Sequence, residues 1–167
     1  MVVGGMYDPA TMVPGPYVYM VTGLAPCANV SATVTVVENV PANAGSNGAL
    51  TICSSDAAVS MFAQLGGSPQ VGGSWSGPSA VAGGDYDPAT MTQGVYTYTV
   101  LGVAPCVDAS ATVTVTENTA ANAGIDASVT LCSDGVPVDL FTLLGGAAQA
   151  GGAWSGPSAI VGGMYDP

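Results

Sequence analysis

Residues 94–100 alternate apolar and polar positions, with Tyr96, Tyr98 and Val100 on one side of the pattern and Val95, Thr97 and Thr99 on the other. Residues 111–116 repeat the pattern as Ala-Thr-Val-Thr-Val-Thr. A period of two sends successive side chains to opposite faces of a pleated strand, and β-branched and aromatic residues favour that geometry. Residues 49–53 read as a third strand, and Ser74-Trp75-Ser76 as a short one carrying a large aromatic. Residues 59–65 are apolar and short, and the pattern leaves open a strand or a single helical turn. Gly66-Gly67 and Gly72-Gly73 mark turns, and residues 83–88 read as a loop. No stretch carries a long helical period. Some seven short strands with Gly/Pro turns predict an all-β antiparallel sandwich.

The pattern recurs. Tyr7-Asp8-Pro9-Ala10-Thr11-Met12 returns as Tyr86-Asp87-Pro88-Ala89-Thr90-Met91, an offset of 79 (86 − 7). The same offset relates Cys27 to Cys106, Cys53 to Cys132, Trp75 to Trp154 and Tyr86 to Tyr165, with no gap. A period this long exceeds the 20–50 residues of a solenoid repeat and fits one small domain. The polar stretch 38–45 and its twin 117–124 make sensible links. On that phase residues 38–116 form a complete repeat, 1–37 the C-terminal part of a preceding one and 117–167 the N-terminal part of the next. The ends overlap: residues 2–9 resemble residues 160–167.

Composition narrows the chemistry. The chain has 167 residues, no Lys, Arg or His, and a formal charge of −11. Without His no unperturbed side chain titrates near neutrality, and without Lys or Arg there is no Schiff-base amine and no bidentate anion clamp. Ser-His and Ser-Lys catalysis are ruled out within the chain, and an enzyme is not expected. Nucleic acid is not an expected partner, because cationic side chains supply most of that affinity. An anionic membrane surface repels such a chain, and no apolar stretch approaches the ~20 residues of a spanning helix. Residues 1–5 lack the basic and apolar regions of a signal peptide, so the expectation is an internal segment of a longer secreted protein. Trypsin-like proteases find no cleavage site, which suits an extracellular or cell-surface location.

Four cysteines allow three pairings. Two fall in each period, and phasing selects Cys53 with Cys106 inside one domain. Such a closure contributes about 4 kcal/mol in the chain-entropy account. Cys27 and Cys132 are then expected to pair with adjacent repeats or subunits, Cys132 of one copy with Cys27 of the next. Two cysteines without His or Cys-x-x-Cys spacing make a poor zinc site.

Calcium is the one cofactor to weigh. Asp85, Asp87, Asp108, Glu117 and Asp126 fall in predicted loops, but no EF-hand-type or Gly-Gly-x-Gly-x-Asp loop occurs, and turn-forming or solvated carboxylates are the expectation. Asp85 and Asp87 are the only close carboxylate pair, and Asp85 aligns with Met6 and Met164. Among the aromatics, Trp75, Trp154, Tyr17 and Tyr96 are expected in the core, whereas Tyr7, Tyr86 and Tyr165 sit beside Asp-Pro in loops, exposed or packed across a junction. Asn29-Val30-Ser31 matches a glycosylation sequon that its twin Asp108-Ala109-Ser110 lacks.

The segments 72–80, 83–91, 94–100, 104–106 and 110–117 together resemble the Ig-like or PKD-like tandem repeats of very large adhesin-like surface proteins of Bacteroidota, exported by type IX secretion. The resemblance spans essentially the whole chain. It implies an immunoglobulin-like sandwich with Tyr96 in the place of a tyrosine corner. Cys106 departs from the usual Ig disulfide, since it lies past the strand, after Pro105. The function expected is a structural component of an extracellular fibre of disulfide-stabilised Ig-like repeats, partnered with itself head to tail in a filament or a covalent array. The alternative is an adhesin repeat that binds a carbohydrate or protein surface ligand.

Overall fold

The computed structural model describes residues 5–167. The first positions of the preceding partial repeat, including the Val2-Val3-Gly4 stretch that resembles 160–162, lie outside the described residues. The chain is all-β: strands β1 (Gly15–Val21), β2 (Val30–Val36), β3 (Gly48–Cys53), β4 (Val59–Ser60), β5 (Ser74–Ser76), β6 (Asp85–Tyr86), β7 (Gly94–Val100), β8 (Ala109–Asn118), β9 (Val138–Asp139) and β10 (Met164–Tyr165). Residues 59–65, left open by sequence, hold both structures: β4, then a 3-10 turn over Phe62–Gln64.

The main sheet has the order β3-β8-β7-β5. β7 pairs antiparallel with both β8 and β5, but β3 lies parallel to β8, Gly48 opposite Val113 and Cys53 opposite Asn118. The expected antiparallel sandwich is corrected on this point: the sheet is mixed, because β3 and β8 enter it from opposite ends of a long connection rather than through a hairpin. β4 and β6 form a second, two-stranded sheet.

The alternation seen in sequence becomes one buried face. Leu50 and Ile52 of β3, Tyr96, Tyr98 and Val100 of β7, and Ala111, Val113 and Val115 of β8 are all buried. Met61 and Tyr86 close this core from the small sheet, and neither has any exposed surface. Tyr86 and Tyr96 meet edge to face, with centroids 5.8 Å apart. Among the described residues, every buried one lies within the span from Ala44 to Val115.

Polar tips of the core tyrosines are satisfied at its rim. The Tyr96 hydroxyl donates to the Thr92 carbonyl four residues upstream at 2.6 Å. Tyr98 donates to the Gln70 carbonyl at 2.7 Å and accepts from the Gly73 amide at 2.8 Å. No enclosed side-chain nitrogen or oxygen among the described residues lacks a partner.

Two expectations about aromatics are corrected. Trp154 is exposed and Tyr17 only half-buried, while Trp75 sits at the core edge, 5.1 Å from the Tyr98 ring. Tyr86, read as a loop residue, is fully enclosed, because residues 85–86 pair with β4 and turn the ring inward.

Candidate functional site at the open strand edges

The flanking segments reproduce parts of this fold in the same register. β1 pairs with β2 as β7 does with β8, Gly15 opposite Val36 just as Gly94 is opposite Val115. β9 and β10 pair as β4 and β6 do, Val138 with Tyr165 as Val59 with Tyr86. Asn122 donates to the Gly146 and Ala147 carbonyls just as Asn43 donates to those of Gly67 and Ser68.

Two ladders are missing from the flanks, and they are the two that join a front half to a back half. Residues 127–132, the counterpart of β3, form no strand, and neither do residues 153–155, the counterpart of β5. Their own sequence is competent, but a strand exists only when its amides and carbonyls find a partner. β2 shows the same dependence. It stops at Val36, whereas β8 runs on through Asn118, its last residues held by β3 alone.

The consequence is a split core. Val34 is 67% exposed where its counterpart Val113 is 0%, and Tyr19 is 72% exposed where Tyr98 is 2%. Together with Tyr7, Tyr17 and Val36 these residues line an open groove of about 740 Å³. On the other flank Val129, Leu131, Leu140 and Tyr165 line one of about 440 Å³. Beside it Trp154, Gly156 and Ile160 help line a further recess of about 300 Å³.

Glycines report what each recess lacks. A methyl group on Gly77 would overlap the Tyr96 ring, and one on Gly73 would lie 2.6 Å from the Tyr98 ring. Neither glycine has a positive φ, so close neighbours, not backbone freedom, explain the residue: the Tyr96 ring at Gly77, and the Thr99 carbonyl together with the Tyr98 ring at Gly73. Their counterparts Gly156 and Gly152 have no ring near them.

The structure separates the remaining sequence candidates. Asp87 accepts from the Ala89 amide and the Thr90 hydroxyl, each at 3.0 Å, in an Asx turn. Asp108 accepts from the Gly102 amide at 2.8 Å and so pins the β7–β8 loop; Asn29 does the same for Gly23 at 3.0 Å. Glu117 accepts from the Tyr86 hydroxyl at 3.0 Å. Asp85 and Asp126 are exposed. No group of three or more Cys, Asp or Glu that would hold a metal comes together among the described residues.

All four cysteines are free thiols. Cys53 lies opposite Asn118 at one end of β8, and Cys106 precedes the other end. A ten-residue strand spans about 30 Å, far beyond the 4.4–6.8 Å between Cα atoms of a disulfide. The expected bond between Cys53 and Cys106 is therefore corrected: phasing put both in one repeat, but the parallel course of β3 carries Cys53 away from Cys106. What sequence reasoning missed was the exposure of Val34, Tyr19 and Val129 and the half-burial of Leu131, a difference from their buried counterparts Val113, Tyr98, Leu50 and Ile52. No protein-family model, characterised protein or solved structure matches the chain.

Proposed function

We propose that this chain is a structural fibre component whose copies join head to tail, the front half-repeat of one completing the back half-repeat of the next. The observation that carries the reading is the β3–β8 ladder, in which this sequence already binds its own kind of strand. Moved by one period, that ladder sets residues 127–132 of one copy parallel to residues 34–39 of a second, Ala127 opposite Val34 and Cys132 opposite Asn39. Val129 and Leu131 then meet Tyr17, Val34 and Val36, as Leu50 and Ile52 meet Tyr96, Val113 and Val115. The rings of Tyr17 and Tyr19 fill the space over Gly156 and Gly152.

The contact is heterologous, so it propagates as an open filament of immunoglobulin-like repeats unless its rotation closes a ring. It removes two unpaired strand edges and covers apolar side chains now in water, at roughly 25 cal/mol per Å² of area buried. Its mechanism is mechanical: length, spacing and stiffness at a cell exterior, with no catalytic step. Sedimentation of the chain in reductant over a wide concentration range tests it. A ladder of sizes that grows with concentration is expected, and a single monomeric species throughout overturns it.

A further inference from the structure

We propose that the thiols pair across the boundary between repeats, each early cysteine with the late cysteine of the following repeat; the proposal rests on the head-to-tail reading above. In this chain the pairs are Cys53 with Cys27 of a second copy, and Cys132 with Cys106 of that same copy.

The geometry is carried by one backbone unit seen from both sides. Cys53 ends β3 opposite Asn118, and the next amide, Ser54, donates to the Asn118 carbonyl at 2.9 Å. One period earlier the corresponding carbonyl, that of Asn39, accepts from the Cys106 thiol at 3.3 Å. The Asn39 side chain also donates to the Ala104 carbonyl at 2.8 Å, docking the cysteine loop on the junction.

The two asparagines occupy the same place. Each follows a glutamate that accepts a tyrosine hydroxyl, Glu38 from Tyr7 and Glu117 from Tyr86. Each leads into a link whose asparagine, Asn43 or Asn122, carries the same bonds. Were the strand of a second copy to pair at Asn39 as β3 pairs at Asn118, its amide and the late thiol would share one carbonyl, and bonds of 2.9 and 3.3 Å to it put that sulfur at most about 6 Å from the amide of the residue next to the early cysteine. All four thiols find a partner, and each contact between two copies receives two bonds, one on either side of the shared repeat.

Oxidation proceeds by exchange with an external disulfide, for which oxidised glutathione serves as the probe. The Cys53 thiolate attacks one glutathione sulfur and releases one glutathione thiolate. The Cys27 thiolate of the second copy then attacks the protein sulfur of that mixed disulfide and releases the other. The two protein thiol protons end on the two glutathiones; the protein pair is oxidised by two electrons and the glutathione disulfide is reduced.

The test mixes ¹⁵N-labelled and unlabelled chains, oxidises them with oxidised glutathione, blocks residual thiols and maps the linked peptides without reduction. Cys53–Cys27 and Cys106–Cys132 peptides carrying one labelled and one unlabelled half are expected. Predominance of Cys53–Cys106 or Cys132–Cys27 peptides, or a scatter of all pairings, overturns the proposal while leaving assembly in reductant intact. If the chain stays monomeric in reductant, head-to-tail joining has failed separately. A tandem chain of residues 1–158 fused to a second copy of 1–167 then decides the pairing alone. Its first Cys53 is expected to bond to the Cys27 of its second copy, and any other partner overturns the inference.

Discussion

The Tyr86 hydroxyl donates to the Glu117 carboxylate at 3.0 Å, tying the small sheet to the end of the long strand β8. Burial, and then that carboxylate, push the Tyr86 phenol from its ordinary 10.0 up to about 12. A phenol whose proton is held more tightly in the folded state contributes stability that is fully present below pH 10. That contribution is lost as pH rises from 10 towards 12, because the unfolded chain ionises first. Thermal unfolding should thus fall steeply over that interval, and Tyr86→Phe should flatten the fall. Parallel slopes for the two proteins would refute the assignment.

Met61 has no exposed surface, and its counterpart Leu140 is half-buried in an unfinished core. Met61→Ala should cost about 2–5 kcal/mol of stability by chemical denaturation. Leu140→Ala should cost less in dilute solution and approach that figure at concentrations where copies join. Equal costs in dilute solution would mean that the flank is not an open half.

Gly77 and Gly156 provide a matched pair. Gly77→Ala drives a methyl into the Tyr96 ring and should destabilise the lone chain by about 1–3 kcal/mol through overpacking. Gly156→Ala meets no ring in the lone chain and should leave its unfolding curve unchanged. It should weaken assembly about tenfold, the equivalent of 1.4 kcal/mol, because the Tyr17 ring of a second copy belongs there. Undiminished assembly would contradict that placement.

Val34 is the exposed counterpart of the fully buried Val113. Val34→Glu puts a carboxylate where a completed core would bury it, a cost the contact cannot offset. The variant should remain monomeric at every concentration, with unaltered Trp75 fluorescence showing that the middle of the chain still folds. Filaments from this variant would show that copies meet elsewhere.

How much of this was readable in the residues follows from the range of each interaction. β7 and β8 announce themselves because alternation is local: Tyr96, Tyr98, Val113 and Val115 carry the period in their own neighbourhood. Tyr86 does not, since a two-residue strand between Gly-Gly and Asp-Pro has no period to show. The parallel pairing of β3 with β8 joins residues far apart in sequence, and nothing near Leu50 or Ile52 names the partner or its direction. The cysteine positions inherit that gap. Phasing tells which repeat Cys53 belongs to, but only the direction of β3 tells which end of the repeat it reaches. Trp154 repeats Trp75 in sequence and differs in exposure because the strand that would cover it is absent from its side of the fold.

The central claim is that residues 127–132 become a strand on residues 34–39 of another copy. Amide hydrogen exchange in reductant, followed peptide by peptide over a concentration series, reads that directly. The amides of 127–132 should exchange freely when dilute and reach the protection of β3, Gly48–Cys53, as copies join. Protection of Gly48–Cys53 with 127–132 exchanging freely at every concentration would contradict the account.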